Sequence, residues 1–194
     1  MFALSIKRKE RREIIDAVAK INIGAGIALA ATDYEWTLNR CILVLGKSPT
    51  ITLRDKLCDP KINHDELKKI WQNETTSTLQ SIFDRAYKKD KNISWQDILS
   101  AKKYRNLLMH GIECNIEDEI GLTVIHIYES ACEILYHFAL SQDKDIYDRL
   151  RPRQRKGAEI KISDHTSQRK YEVQKALKDY CKKHSVSGTA VFHL

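Results

Sequence analysis

The chain has 194 residues, of which 42% are hydrophobic and 30% are charged, so it can bury the core of one domain of ordinary size. Only 7 glycines and 3 prolines interrupt it, which favours helices and argues against a turn-rich β-sandwich. The longest weakly polar stretch, residues 21–32, is much shorter than the roughly 20 residues that a membrane-spanning helix needs. We therefore expect an all-α protein with no membrane partner.

The net charge of +7 is concentrated at the C-terminal end. Residues 151–194 hold 11 Lys/Arg and 4 Asp/Glu, whereas residues 1–150 are neutral. Such asymmetry indicates a polyanionic partner such as RNA. A solvated tail explains the same asymmetry, and the sequence leaves both interpretations open.

The five cysteines are odd in number, and no two of them have C-x-x-C spacing. Most lie among apolar residues at helical spacing, so we expect buried, reduced thiols rather than a redox or zinc role. The apolar stretch at the N-terminus is too short for a signal peptide, and its charges follow rather than precede it. These features predict a cytoplasmic protein.

The first predicted helices are amphipathic. Residues 6–22 form one, and the apolar pattern resumes over residues 27–45 until Gly46 stops it. Between them, Gly24-Ala25-Gly26 permits a kink or a close helix crossing, because glycine lets backbones approach. Polar residues inside the second helix, Asp33 and Glu35 among them, are interpreted as its solvent face, although a buried carboxylate here would instead be able to pair with Arg105.

The middle of the chain predicts a connection and then a third helix. Residues 47–62 contain two prolines and one helical turn near residues 53–57. The third helix begins at Asn63, although residues 75–78, all Ser or Thr, are poor helix formers. Residues 88–93 form a charged turn.

Local capping residues define the last two core helices. Ser94 is the expected N-cap of the fourth helix, with Asp97 as an acidic variant of the capping box. This helix ends near Gly111, and the last one spans residues 117–140. The predicted fold is thus an antiparallel bundle of four to five core helices within residues 1–145.

Residues 146–194 are predicted to form a basic linker and a C-terminal helical arm. The linker carries Arg151, Arg153 and Arg155, which we expect to contact RNA together with Lys102 and Lys103. A second interpretation, which the sequence leaves open, is that the arm binds a partner protein or is exchanged between the subunits of a dimer.

The string of greatest chemical interest is residues 104–111. Arg105 and His110 are five residues apart, which places them about 140° apart around a regular helix. They converge only if the helix ends between them, and Gly111 is the residue expected just past such an end. The Leu107-Leu108-Met109 spacer is expected to anchor the turn in the core.

An Arg and a His together suit RNA cleavage. The 2′-hydroxyl must lose a proton and the leaving 5′-oxygen must gain one, which imidazole does near neutral pH. A guanidinium meets the negative charge that develops on the phosphate, so neither a metal nor a cofactor is expected.

Over residues 94–140 the chain resembles HEPN domains, whose signature is an Arg, four to six residues and a His. Arg105-Asn106, three further residues and His110 fit this signature. The resemblance implies a homodimeric, metal-independent endoribonuclease that leaves a 2′,3′-cyclic phosphate and acts as a toxin or in defence against phage. By that resemblance Arg105 stabilises the phosphate, His110 is the acid/base, and Asn106 orients the substrate or His110.

One position departs from a branch of this family. HEPN toxins that are modified by a nucleotidyltransferase antitoxin often carry a Tyr two residues after the His, where this chain has Ile112. We therefore expect no modification at that position, while an antitoxin or a defence-system protein stays among the expected partners.

Two other interpretations remain open: a non-catalytic HEPN module that binds RNA or a protein, and a helical regulatory protein outside the family. A metal site at His126 and His137, with Cys132 and Glu133 nearby, is not expected, because these residues do not complete a standard ligand set.

Overall fold

The structure, a computed structural model, describes residues 8–59, 62–90, 92–111 and 117–147. Within these ranges the chain forms helices and no strands, so the predicted all-α helical bundle is confirmed. The described helices are α1 (Arg8–Ile21), α2 (Ile23–Leu45), α3 (Thr50–Leu57), α4 (His64–Glu74), α5 (Leu79–Asp90), α6 (Trp95–Met109) and α7 (Asp118–Leu140).

The predicted linker and C-terminal arm lie outside the described residues, together with Arg151, Arg153, Arg155 and Ile112. The predicted boundary between the helical bundle and the basic linker, near residue 145, lies at the end of the last described range and stays a prediction. No helix in the described part of the chain combines the length and apolar character needed to cross a membrane.

The long helices α2 and α7 form the centre of the bundle, and α1, α4 and α6 pack around them. Fully buried aliphatic and aromatic side chains, Leu38 and Ile42 of α2 and Leu135 of α7 among them, make one continuous core. Cys41 is buried in it and its thiol donates to the Leu135 carbonyl oxygen at 3.7 Å. This packing explains why both long helices are apolar over so much of their circumference.

A buried ion pair joins α1 to α2. The Arg11 guanidinium is fully buried and donates to the Asp33 carboxylate, which also accepts from the Cys132 thiol. Arg11 further contacts the Tyr147 hydroxyl and lies 4.3 Å from the centroid of the Trp36 ring. The interpretation of Asp33 as part of a solvent face is therefore wrong, because Asp33 neutralises a cation inside the core.

The break between α1 and α2 occurs at Asn22 rather than at the glycines. The Asn22 side chain accepts from the Ala25 amide and caps α2. Gly26 packs closely on α1, since a Cβ placed on it would be 2.6 Å from the Cβ of Ala19. The close crossing is thus confirmed, while the break between the helices lies four residues earlier, at Asn22.

The predicted third helix is divided into α4 and α5. It stops at Glu74 because the next residues are poor helix formers, and the Trp71 indole N–H donates to the Ser77 carbonyl oxygen in the gap. The capping of α4 by Asn63 is as expected, with its side chain accepting from two backbone amides.

The capping box of α6 is present as predicted. Ser94 accepts from the Asp97 amide, and the Asp97 carboxylate accepts from the Ser94 amide. At the other end Gly111 has a φ of 68° and donates its amide to the Leu108 carbonyl oxygen at 3.0 Å. A left-handed residue just past the last turn is a common way to end a helix, and glycine adopts it without strain.

Of the five cysteines, Cys41 and Cys132 are buried thiols as expected. Cys58 is exposed at the end of α3, so the prediction of burial is wrong there. Cys114 and Cys181 lie outside the described residues.

Candidate functional site

A cavity of about 480 Å³ lies among α2, α6, α7 and the start of α4. Its walls mix cationic, anionic, aromatic and neutral polar side chains. They are Ala31, Tyr34, Glu35, Ile62, Asn63, His64, Asp65, Ile98, Lys102, Arg105, Asn106 and Tyr128. A volume of this size falls in the range typical of small-molecule sites.

Two of the predicted catalytic residues line this cavity. Arg105 and Asn106 are neighbours on the last turns of α6, and the Arg105 Nη1 donates to the Asn106 Oδ1 at 3.2 Å. The Arg105 Nε is buried and has no hydrogen-bond partner among the described residues. Within that part of the chain Arg105 forms no ion pair with a carboxylate, so the predicted alternative of pairing with Asp33 or Glu35 is not seen.

Lys102 lies one turn before Arg105 and borders the same cavity. Its ammonium group bonds to the Asp65 carboxylate at 3.3 Å, which joins α6 to α4. This interaction holds the pKa of the Asp65 carboxyl below its usual value. Lys103 is exposed and is not among the cavity residues, so of the two predicted RNA contacts on α6 only Lys102 faces the cavity.

His110 is not one of the residues that line the cavity. It is the exposed C-cap of α6, and its amide donates to the Asn106 carbonyl oxygen at 3.0 Å. Because α6 stays helical through Met109, the break at Gly111 comes too late to turn His110 toward the Arg105 side. The structure therefore brings Arg105 and Asn106 together in the cavity and leaves His110 at the end of the helix.

The apolar spacer between Arg105 and His110 is only partly buried. Leu108 packs against the core, whereas Leu107 is 40% and Met109 is 59% exposed. The expectation that all three anchor the turn is wrong, because three consecutive residues of a helix point in directions about 100° apart and cannot all face the core. Leu107 and Met109 instead leave two apolar side chains exposed in the turn before His110.

His64 is the most distinctive residue of the cavity, and no sequence motif singled it out. It is the first residue of α4, only 9% exposed, and neither ring nitrogen has a hydrogen-bond partner among the described residues. Its ring stacks with those of Tyr34 and Trp95, whose centroids are 6.0 and 6.2 Å away. Its sequence neighbours are polar, so the pattern alone indicates an exposed helix start.

Burial sets the protonation of the cavity side chains. Desolvation, with further repulsion from Lys102, lowers the pKa of His64 to about 4, so the imidazole is neutral at pH 7. Burial raises the pKa of Tyr128 to about 12, against a smaller opposing effect of Arg105, and it also raises the pKa of Tyr34. Both phenols are therefore neutral as well.

The cavity thus combines a cationic side with neutral groups that can both donate and accept hydrogen bonds. Arg105 and Lys102 supply positive charge, while His64 and Tyr34 supply the neutral groups. Glu35 and Asp65 add carboxylates, which accept only, and Asp65 is the one that pairs with Lys102. Such a set suits a ligand that carries an anion at one end and hydroxyl groups at the other.

No cluster of three or more His, Cys, Asp or Glu residues suited to a metal ion occurs in the described ranges. His126, once considered as a ligand, contacts the Ser130 hydroxyl at 3.5 Å one turn away on α7.

Comparisons with known proteins leave the family open: no family model, curated protein or solved structure matches the chain.

Proposed function

We propose that this protein is a metal-independent endoribonuclease of the HEPN type that acts as a homodimer. One observation carries the proposal: Arg105, in the Arg105-Asn106 pair of the HEPN-like string, lines a polar cavity with no carboxylate neutralising it among the described residues. An arginine that is merely structural usually pairs with an acid, as Arg11 does with Asp33. An uncompensated guanidinium is suited to a phosphate.

The proposed reaction removes one proton from the 2′-hydroxyl of the RNA and adds one proton to the leaving 5′-oxygen. The 2′-hydroxyl oxygen of the RNA attacks the adjacent phosphorus as its proton passes to a base, and the bond from phosphorus to the 5′-oxygen breaks. The 5′-oxygen takes a proton, leaving a 2′,3′-cyclic phosphate and a 5′-hydroxyl. His110 is the proposed acid/base, Arg105 stabilises the charge on the phosphate oxygens, and Asn106 orients the substrate.

A second copy of the chain is the proposed means of enclosing His110. Leu107 and Met109 are exposed in the last turn of α6, just before His110, and Ile120 and Leu122 are exposed on the first turns of α7. Large apolar side chains at one helix junction are typical of a protein interface. In a dimer formed there, the two His110 side chains would border a cleft shared by both protomers.

The proposed biological role is a toxin or an anti-phage effector that cuts RNA. Lys102 and Lys103 add positive charge at the same helix, and the basic C-terminal residues, Arg151, Arg153 and Arg155 among them, would supply further phosphate contacts. An antitoxin or another defence protein is the proposed restraint on such an activity.

The position of His110 favours one alternative function. Because His110 lies outside the cavity that holds Arg105, a non-catalytic module that binds RNA or a protein through Arg105 is the second candidate. It predicts no cleavage by the purified protein even in excess, and no growth arrest on expression. A growth arrest that disappears with Arg105→Ala would contradict it.

The test is cleavage of single-stranded RNA by the purified full chain with a chelator present. We expect His110→Ala and Arg105→Ala each to lower cleavage at least a hundredfold, in keeping with the loss of an acid/base or a charge-stabilising group. The matched control is Arg85→Ala, since Arg85 is an exposed arginine of α5. Equal cleavage by the wild type and His110→Ala would remove His110 from the mechanism.

A further inference from the structure

Unpaired polar atoms are concentrated at the cavity. Seven buried side-chain nitrogen or oxygen atoms lack a hydrogen-bond partner in the described part of the chain, and four of them belong to residues that line it. These four are the Tyr34 hydroxyl, both His64 ring nitrogens and the Arg105 Nε. Folded proteins pair nearly all their buried polar groups, so such a cluster indicates groups kept for a ligand.

The unpaired groups come from three helices, Tyr34 from α2, His64 from α4 and Arg105 from α6. Residues so distant in sequence meet here only through the packing of the bundle. The rings of Tyr34 and Trp95 both stack on His64 and limit the motion of the imidazole. The site is therefore built into the core of one protomer and needs no second copy to exist.

The chemistry of the walls indicates which part of an RNA would fit. Arg105 donates to an anion, and Lys102 adds positive charge beside it. A neutral imidazole and a phenol each donate one hydrogen bond and accept another, as a ribose hydroxyl also does. The carboxylates of Glu35 and Asp65, the latter paired with Lys102 and 3.9 Å from the His64 Nδ1, would repel a second phosphate, so the ligand has one anionic end and one hydroxyl end.

We propose that Tyr34, His64 and Arg105 form a subsite that holds the ribose and phosphate of one nucleotide of a single-stranded RNA. This rests on the proposed ribonuclease function and extends it to residues outside the Arg105–His110 string. Arg105 binds the phosphate, and His64 and Tyr34 contact the ribose hydroxyl. A cavity of about 480 Å³ takes one nucleotide but not a base pair of a duplex.

A purely structural role for His64 makes a different prediction. The ring stacks with two aromatic side chains, and a histidine kept only for that packing is replaceable by phenylalanine. His64→Phe preserves a planar ring of similar size and removes both nitrogens. Tyr34→Phe removes only an unpaired hydroxyl, so we expect it to fold as well as the wild type.

The experiment measures binding and cleavage separately. Binding of a labelled single-stranded RNA and of the DNA of the same sequence is measured by fluorescence anisotropy in a His110→Ala background, which stops cleavage. Cleavage is measured as kcat/KM with His110 intact. The matched controls are Tyr87→Phe and His137→Phe, exposed residues outside the cavity, and circular dichroism checks the fold of every variant.

We expect His64→Phe and Tyr34→Phe each to weaken RNA binding and to lower kcat/KM about tenfold, the loss of one good hydrogen bond to the substrate. DNA binding should change less, so the preference for RNA should shrink. If the wild type cleaves RNA and both variants match it in binding and cleavage, the subsite is refuted while the ribonuclease stands. If the wild type neither binds nor cleaves RNA, the proposed function fails and the subsite fails with it.

Discussion

The buried imidazole of His64 makes the stability of the protein depend on pH. In the folded chain its pKa is lowered to about 4, chiefly by desolvation, against an ordinary value of 6.5. Between these two values the unfolded chain takes up a proton that the folded chain does not. Acid therefore favours unfolding, and the free energy of unfolding falls as the pH drops from about 6.5 toward 4.

The size of the effect follows from the two pKa values. At pH 5 the unfolded histidine is almost fully protonated and the folded one is almost fully neutral. The linkage relation then gives a loss of about 2 kcal/mol between pH 7 and pH 5 from this one group. For a domain whose total stability is roughly 5–15 kcal/mol, such a loss is readily measured.

The assay is urea denaturation of the wild type and of His64→Phe, followed by circular dichroism at pH 7 and pH 5. We expect the wild type to lose about 2 kcal/mol more than His64→Phe, because phenylalanine does not titrate. The comparison between two pH values cancels any packing cost of the larger ring. Equal losses in the two proteins would show that the folded His64 protonates normally, which would refute its burial as an unpaired neutral group.

Two further predictions concern stability. Arg11→Met should lower the free energy of unfolding by about 3–5 kcal/mol, because it leaves the Asp33 carboxylate buried without its partner. Arg12→Met, at a half-exposed arginine paired with Glu129, should lower it by less than about 1 kcal/mol in the same urea assay. Similar losses in both would contradict the buried pair. Gly111→Ala should lower the free energy of unfolding by about 1 kcal/mol because residue 111 has a φ of 68°; a Cβ there meets no atom within 4 Å, so the backbone conformation is the whole cause. Gly111→Asn should cost less. An alanine variant as stable as the wild type would rule out the left-handed turn.

The parts of the fold that depend on local chemistry were predictable. Ser94 and Asp97 form a capping box over four consecutive residues, and Gly111 alone allows the left-handed turn, so both ends of α6 followed from the sequence. The break at Asn22 was also local, but the nearby glycines drew the prediction away from it. They serve the close packing of α1 on α2 instead.

The cavity was only half predictable because it is built by tertiary packing. Arg105 and Asn106 stood out through the motif, whereas His64 lies in a polar stretch that resembles any exposed helix start. Its burial arises from the contacts of α4 with α2 and α6, which no local pattern encodes. The pairing of Asp33 with Arg11 was hidden for the same reason.

The central claim is that Arg105 and His110 cleave RNA without a metal. The most direct measurement is the chemistry of the product ends after the full chain has cut a single-stranded RNA in the presence of a chelator. We expect 2′,3′-cyclic phosphate and 5′-hydroxyl ends, formed by the wild type and by Arg85→Ala but not by Arg105→Ala. An intact RNA, or the same product from Arg105→Ala at the wild-type rate, would contradict it.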